Sequence, residues 1–353
     1  MHDADSLYSA RLSRYAMTRS HLSGMPDRTL EQIMAAGMLD RSGIGGRSTV
    51  VDLDGTQVFA KRVPLTELEL RPEHARSTAN IFGLPAFYQY GLGSTGFGAW
   101  RELMAHIITT GWVLEHDYVG FPLMYHWRVL PDIAPRDFAD EFGGLEGAVA
   151  HWDGSLAVHR RLTAISKSTF SLVLFLEYVP CTLADWLTGH RSEAGTYQWA
   201  AEALAQGTAF LSNHGFTHFD AHFANLLTDG RLIYFADLGL ALSSQFDLSP
   251  AEAEFLTRHR LYDKCYTANH MLAHYLLGDV CDKSEYEALL CNWIAGRRPD
   301  NISPELIPII DRHARPALIL NGFHRDLLAR SKRALFPHAR IDLAYKGNRL
   351  AEY

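Results

Sequence analysis

The sequence predicts an α+β chain of two lobes, with a small antiparallel sheet first and a mainly helical region after it. Three observations carry this. Two β-prone runs between Gly43 and Val63 flank the dipeptide Asp54-Gly55, which favours the left-handed turn of a tight hairpin. The run Phe170 to Val179, FSLVLFLEYV, is continuously apolar and β-prone, the pattern of a strand buried on both faces. Beyond Pro180 the apolar residues recur at helical spacing, most clearly over Tyr197 to Asn213, where Trp199, Ala203, Leu204, Gly207, Phe210 and Leu211 share one face.

The chain has 353 residues, 47% hydrophobic and 21% charged, which suits a globular protein too long for one small core. Its 40 acidic and 33 basic residues leave a formal charge of −7, so there is no general electrostatic footprint for nucleic acid. Cys181, Cys265, Cys281 and Cys291 have no CxxC spacing and are too sparse for a disulfide scaffold. The N-terminus, MHDADS, is acidic and lacks an apolar signal core, and no later stretch reads as a bilayer span. The expectation is a cytoplasmic protein with neither a membrane nor a nucleic-acid partner.

Residues 1–42 read as a helical extension, with Asp27 as a cap and Leu30, Ile33, Met34 and Met38 as one apolar stripe. Residues 43–179 read as the sheet-bearing lobe, holding the glycine-rich GIGGRST, the hairpin with its second strand Thr56 to Val63, and a helix from Ala99 to about Thr110. A further strand lies within Phe121 to Leu130. Two inserts, an irregular one at 70–98 and an acidic, partly helical one at 131–168, are where specificity is expected to reside. Residues 180–353 read as the helical lobe, with a small hairpin of Asn225 to Leu227 and Leu232 to Phe235 joined at Asp229-Gly230. Residues 241–261 read as helical, and HRDLLARSKRALF, in the basic stretch Arg312 to Arg340, as an amphipathic helix packed on the larger lobe.

The chemistry concentrates in HGFTHFDAHFANLLTDGRLIYFADLGLAL, His214 to Leu242. This run sets His218, Asp220 and Asn225 on a loop and Asp237-Leu238-Gly239 after a hairpin. Phosphoryl transfer to a hydroxyl requires a carboxylate that orients the hydroxyl and accepts its proton, and oxygen ligands that hold magnesium against the phosphates. In this run the chain resembles the protein-kinase-like superfamily, which includes eukaryotic-type protein kinases and aminoglycoside phosphotransferases. The resemblance covers roughly residues 43 to 280 and is most specific between 170 and 242.

The resemblance implies a two-lobed protein-kinase-like fold, ATP and Mg2+ as cofactors, and roles for particular residues. Asp220 matches the catalytic-loop aspartate, Asn225 the magnesium-binding asparagine, Asp237 the first residue of the DFG motif, and His218 the histidine that opens HRD and holds the loop. In VFAKRV, Lys61 resembles the lysine that grips the α- and β-phosphates. Its acidic partner is assigned to Glu102 in AWRELMAH, with Glu67, Glu69 and Glu73 as competitors. FLEYVP followed by TLADWL looks like a kinase hinge, in which backbone groups from Glu177 to Val179 would bond the adenine edge. The glycine loop departs from the family: Gly43, Gly45 and Gly46 are present, but Arg47, Ser48 and Thr49 occupy the turn, where Ser48 or backbone amides would meet phosphate. Phe219 replaces the HRD arginine, so regulation by a phosphorylated activation segment is not expected. His222 stands where serine/threonine kinases carry a lysine, and either donates to the γ-phosphate or packs. The recurrence of His214, His218 and His222 every four residues suggests zinc only superficially, because Gly215 breaks any common helical face.

The function these residues imply is transfer of the γ-phosphoryl group of ATP to a hydroxyl of a protein Ser/Thr or a small-molecule alcohol. The alternatives are a pseudokinase acting as a nucleotide-binding regulatory module, prompted by the altered glycine loop, and as a minor case transfer of AMP.

Overall fold

The computed structural model describes residues 2–43, 46–135, 139–278, 280 and 284–350. Its first elements are two helices, α1 (His2–Gly24) and α2 (Asp27–Ala36). Pro26, extended at φ −64° and ψ 150°, is the N-cap of α2. Asp27, expected as the cap, stands instead in the first turn, where its carboxylate meets the positive end of the helix dipole. The helical reading of residues 38–42 is overturned as well. Gly37 leaves α2 in an extended conformation at φ −69° and ψ 161°, and a Cβ there would stand 2.5 Å from Thr49 Cγ2. Met38 therefore opens a strand, β1 (Met38–Gly43), instead of closing the helical stripe.

Next come β2 (Gly46–Leu53) and β3 (Thr56–Leu65), joined by Asp54 and Gly55 at φ 53° and 83°. Two consecutive left-handed residues match the twist of the strands they join. A one-turn helix, α3 (Glu67–Leu70), leads into the stretch expected to be irregular, which ends at α4 (Ala99–Leu114). Then follow β4 (Met124–Pro131), α5 (Leu145–His151), α6 (Leu156–Ile165) and β5 (Phe170–Glu177). Among the described residues, five strands form one antiparallel sheet in the order β1-β2-β3-β5-β4.

β5 lies inside the sheet, and seven of its eight residues are buried, which accounts for its unbroken apolar run. Leu172, Leu174 and Leu176 pack with Ala99, Trp100 and Leu103 of α4. Val173 and Phe175 alternate to the other face and are equally buried. On that side α1 runs along β4 and α2 along β2.

From Pro180 the elements are β6 (Cys181–Thr182), α7 (Leu183–Gly189), α8 (Thr196–Asn213), β7 (Phe216–Thr217), β8 (Leu226–Thr228), β9 (Ile233–Phe235), β10 (Leu242–Ser243), α9 (Pro250–Arg258), α10 (Tyr262–Met271), α11 (Tyr286–Ile294), α12 (Ile307–Ala329) and α13 (His338–Leu350). α12 packs against α10, α11 and α13, and α10 also against α8. Two helical expectations fail here. Residues 242–243 pair with β7 as a strand, and the helix begins only at Pro250, where Ser249 and Glu252 form a capping box. HRDLLARSKRALF is helical only as far as Ala329. Lys332 Nζ then donates to the Leu327 carbonyl at 3.0 Å, capping the end of α12 and turning the chain away.

The chain divides into two compact units. The first runs to Val179 and includes Leu238–Leu240 and Phe246–Leu248; the second holds Pro180–Asp237, Ala241–Gln245 and the chain from Ser249 on. Cys181, Cys265 and Cys291 are free thiols, and Cys281 lies outside the described residues. No helix among the described residues is long and apolar enough to cross a membrane.

Burial holds the pKa of five histidines of the second unit far below the ordinary 6.5, to about 4 for His218 and His324 and about 3 for His259, His270 and His313. Depressed histidines contribute stability that is present above pH 6.5 and lost as pH falls, because the unfolded chain takes up protons the folded protein refuses. Burial pushes Asp263 up to about 7, which acts in the opposite sense, as the folded carboxyl keeps its proton where the unfolded one ionises. Five groups against one leave a net loss in acid. Urea unfolding is expected to give a free energy lower by on the order of 3 kcal/mol at about pH 5.5 than at about pH 7.5; equal stability at both would contradict this.

Candidate functional site

β7 pairs with β10 and delivers the chain into the loop His218 to Asn225. Along that loop Phe219, Ala221 and Phe223 are fully buried, while Asp220 and His222 between them are only partly so. Alternation thus anchors the loop by its apolar side chains and leaves the polar ones accessible. Backbone bonds tighten it: the His222 amide donates to Asp220 O at 2.9 Å, that of Asn225 to His222 O at 2.8 Å, and that of Ala184 to Phe223 O at 3.0 Å. Phe219 adopts a left-handed φ of 66°, a strained conformation for an aromatic residue that its surroundings must impose. Its ring lies 5.2–5.6 Å from those of Phe255, His259 and Tyr262.

Asp263 of α10, which the sequence reading missed, holds this turn. Its carboxylate accepts the His218 amide at 2.6 Å and the Phe219 amide at 3.0 Å. It is buried at 4% exposure, and that burial raises its pKa against the two bonds that favour the ionised form. His218 is fully buried and kept neutral. Its Nδ1 accepts the Asp220 amide at 3.3 Å, so Nε2 carries the proton and donates to Ala236 O at 2.7 Å. One imidazole therefore joins the amide of Asp220 to the residue preceding Asp237.

The remaining polar groups gather around this link. Asn225 Nδ2 donates to Asp220 Oδ2 and to Asp220 O, each at 3.0 Å. The Ala236 amide donates to Asn225 O at 3.1 Å, fixing the end of the β8–β9 hairpin beside the loop. That hairpin turns at Asp229-Gly230, where Asp229 Oδ1 accepts the amides of Arg231 and Leu232 at 2.9 Å. Asp237 takes a left-handed φ of 54°. The second unit thus ties Asp220, Asn225 and the residue before Asp237 into one network. With its amide nitrogen on Asp220, Asn225 keeps its amide oxygen as the end able to ligate a cation. That oxygen and the Asp237 carboxylate are hard donors, a set that fits Mg2+. His222 Nε2 stands 3.9 Å from Asp220 Oδ1. His214 Nδ1 bonds Phe210 O at 2.8 Å, and His218 has both ring nitrogens engaged, by the Asp220 amide and by Ala236 O, which leaves His218 no nitrogen for zinc.

In the first unit, Lys61 Nζ lies 2.7 Å from Glu102 Oε1, both side chains nearly buried. Of the four glutamates considered, Glu102 is the one so paired. Glu69 is spent elsewhere: its carboxylate accepts the Ala99 amide at 2.7 Å, capping α4, and pairs with Arg161 at 2.8 Å. Lys61 also sits opposite Ser48 on β2, so the two side chains share a face of the sheet. Ser48 is thus a strand residue, not the turn residue the glycine-loop reading made it. Gly43 pairs with Gly46. A Cβ on Gly46 would stand 2.0 Å from Arg62 O, and its φ of 119° suits glycine alone. Gly45 lies outside the described residues.

At the expected hinge, the Glu177 amide donates to Leu123 O at 2.8 Å, which leaves its carbonyl as the Glu177 backbone group for the expected adenine contact. Its carboxylate accepts Arg11 Nη2 at 2.7 Å, Arg11 Nε at 3.0 Å and the Leu123 amide at 3.1 Å. Arg11 comes from α1, and nothing in the spacing of the sequence links it to Glu177. Val179 is buried at 9% exposure.

Removing the Asp263 carboxylate strands two buried amide donors. Asp263→Ala is expected to destabilise the protein by about 2–5 kcal/mol, and Asp263→Asn, which keeps one acceptor oxygen, by less. Denaturant unfolding checks this, and a loss below about 1 kcal/mol for the alanine variant would contradict it. No family model matches the chain and no curated protein matches it.

Proposed function

We propose that this chain is an ATP- and Mg2+-dependent kinase of protein-kinase-like fold that transfers the γ-phosphoryl group to a hydroxyl. The observation that carries the reading is the Asn225 amide bonded to the Asp220 carboxylate at 3.0 Å, within the network that ends beside Asp237. It pairs a group suited to orient a hydroxyl with a group suited to hold a cation, as transfer requires.

On this reading Asn225 and Asp237 hold Mg2+, which supplies charge neutralisation along the phosphates when bound. Lys61, oriented by Glu102, binds phosphate oxygens. Asp220 accepts a hydrogen bond from the acceptor hydroxyl, aims its oxygen, and takes its proton as transfer completes. His222, beside Asp220, donates to a phosphate oxygen. The Glu177 carbonyl and the Val179 amide recognise adenine. Residues 250–258 form a helix where a peptide-binding platform would be extended, which favours a compact alcohol over a protein Ser/Thr as acceptor.

The test is mass spectrometry of wild type incubated with ATP, Mg2+, and either generic protein substrates or a panel of small alcohols. The expected result is ADP with a phosphorylated product. Nucleotide bound without turnover would indicate a binding module, and AMP attached to a target would indicate a reversed nucleotide; either overturns the proposal. Asp220→Ala is expected to lower kcat at least about a hundredfold with nucleotide binding nearly intact. Asp237→Ala is expected to weaken Mg2+-dependent nucleotide binding about tenfold or more.

A further inference from the structure

The stretch 70–98 was expected to carry specificity, yet much of it is engaged inside the first unit. Gln89 is buried at 2% exposure, and its Nε2 donates to the carbonyl of Leu240. Gly96, at φ 71°, lies so close to the next peptide that a Cβ would stand 2.5 Å from Gly239 O. Thr78 Oγ1 accepts the amide of Asp247 at 2.8 Å. The Thr78 carbonyl in turn accepts Arg101 Nε at 2.6 Å, and the Arg101 guanidinium sits over the rings of Phe97 and Phe246, 4.8 and 5.7 Å from their centroids. Leu238–Leu240 packs against α4, the helix that carries Glu102. Both ends of the segment 238–248 are thus tied to the insert or to α4.

We infer that Gln89, Thr78 and Gly96 are positioning residues for Asp237: they clamp the segment that follows it, so that the metal-holding carboxylate is set without phosphorylation of that segment. The inference rests on the phosphotransfer reading above. Three kinds of contact support it. A side-chain amide fixes Leu240, three residues after Asp237, and a buried carbonyl deprived of its donor is costly. The approach at Gly96 admits no side chain, so glycine is what lets the two backbones come this close. The Thr78 hydroxyl fixes the far end. At position 219, where a guanidinium would serve a phosphorylated segment, a fully buried phenylalanine stands instead, so order in this segment comes from neutral, permanent contacts.

The test compares wild type with Gln89→Leu, which keeps size and removes the donor. Thr78→Val, isosteric and at the other end of the segment, serves should the first variant not fold. Amide hydrogen exchange over residues 238–248 is measured beside the Mg2+ dependence of kcat and the affinity for ATP without metal. The expected result is exchange faster by about tenfold in that segment alone and a Mg2+ activation constant raised about tenfold, with metal-free ATP affinity unchanged. Unchanged exchange, or faster exchange with an unchanged Mg2+ constant, overturns the positioning role. Exchange raised throughout the chain reports a merely structural residue and overturns it too. Wild type that does not turn over ATP, whether or not it binds Mg2+-nucleotide, overturns the phosphotransfer reading, and this role with it, in the first control.

Discussion

The whole constellation depends on one buried carboxylate. Asp263 accepts the amides of His218 and Phe219, and so fixes the only place where the loop must adopt a left-handed aromatic residue. Such a conformation persists when surrounding contacts over-determine it. Once Phe219 is turned inward against Phe255, His259 and Tyr262, alternation sends Asp220 outward, and Asn225 comes within reach of it. The neutral imidazole of His218 extends the same constraint to Ala236, and from there along the chain to Asp237. A charged imidazole would lose its acceptor nitrogen and break the link, so the burial that depresses its pKa is part of the construction.

The first unit shows the complementary use of buried charge. Lys61–Glu102, Arg11–Glu177 and Arg161–Glu69 are all close pairs with little exposure. Pairs of this kind are weak evidence of stability, because desolvation offsets much of the attraction. What they contribute is definite geometry. Glu69, paired with Arg161, accepts the Ala99 amide at the start of α4, the helix that carries Glu102. Arg11–Glu177 fastens α1 to the last residue of β5. The N-terminal helices are therefore part of the sheet's packing, not an appendage.

Much of this was legible in the sequence because local rules decide it. Asp54-Gly55 and Asp229-Gly230 demand tight turns whatever surrounds them, and the apolar run of β5 can be satisfied only inside a sheet. The loop motif was legible because its residue types stand at fixed spacing. What escaped was set by distant contacts. Asp263 is one aspartate on a helix, and its meaning lies in amides some 45 positions away. Arg11 meets Glu177 across 166 positions. Gln89 is an ordinary glutamine until Leu240 O is beside it. Boundaries failed for a related reason: α2 stops at Ala36 and Met38 already pairs with Val50 of β2, a fact of long-range pairing and not of propensity.

The most direct measurement is a crystal structure with a non-hydrolysable ATP analogue and Mg2+. The account predicts a cation ligated by the Asn225 amide oxygen and the Asp237 carboxylate at about 2.1 Å, with Lys61 on a phosphate oxygen and Asp220 outside the coordination sphere. A cation bound elsewhere, or a nucleotide that leaves Asn225 and Asp237 untouched, would contradict it.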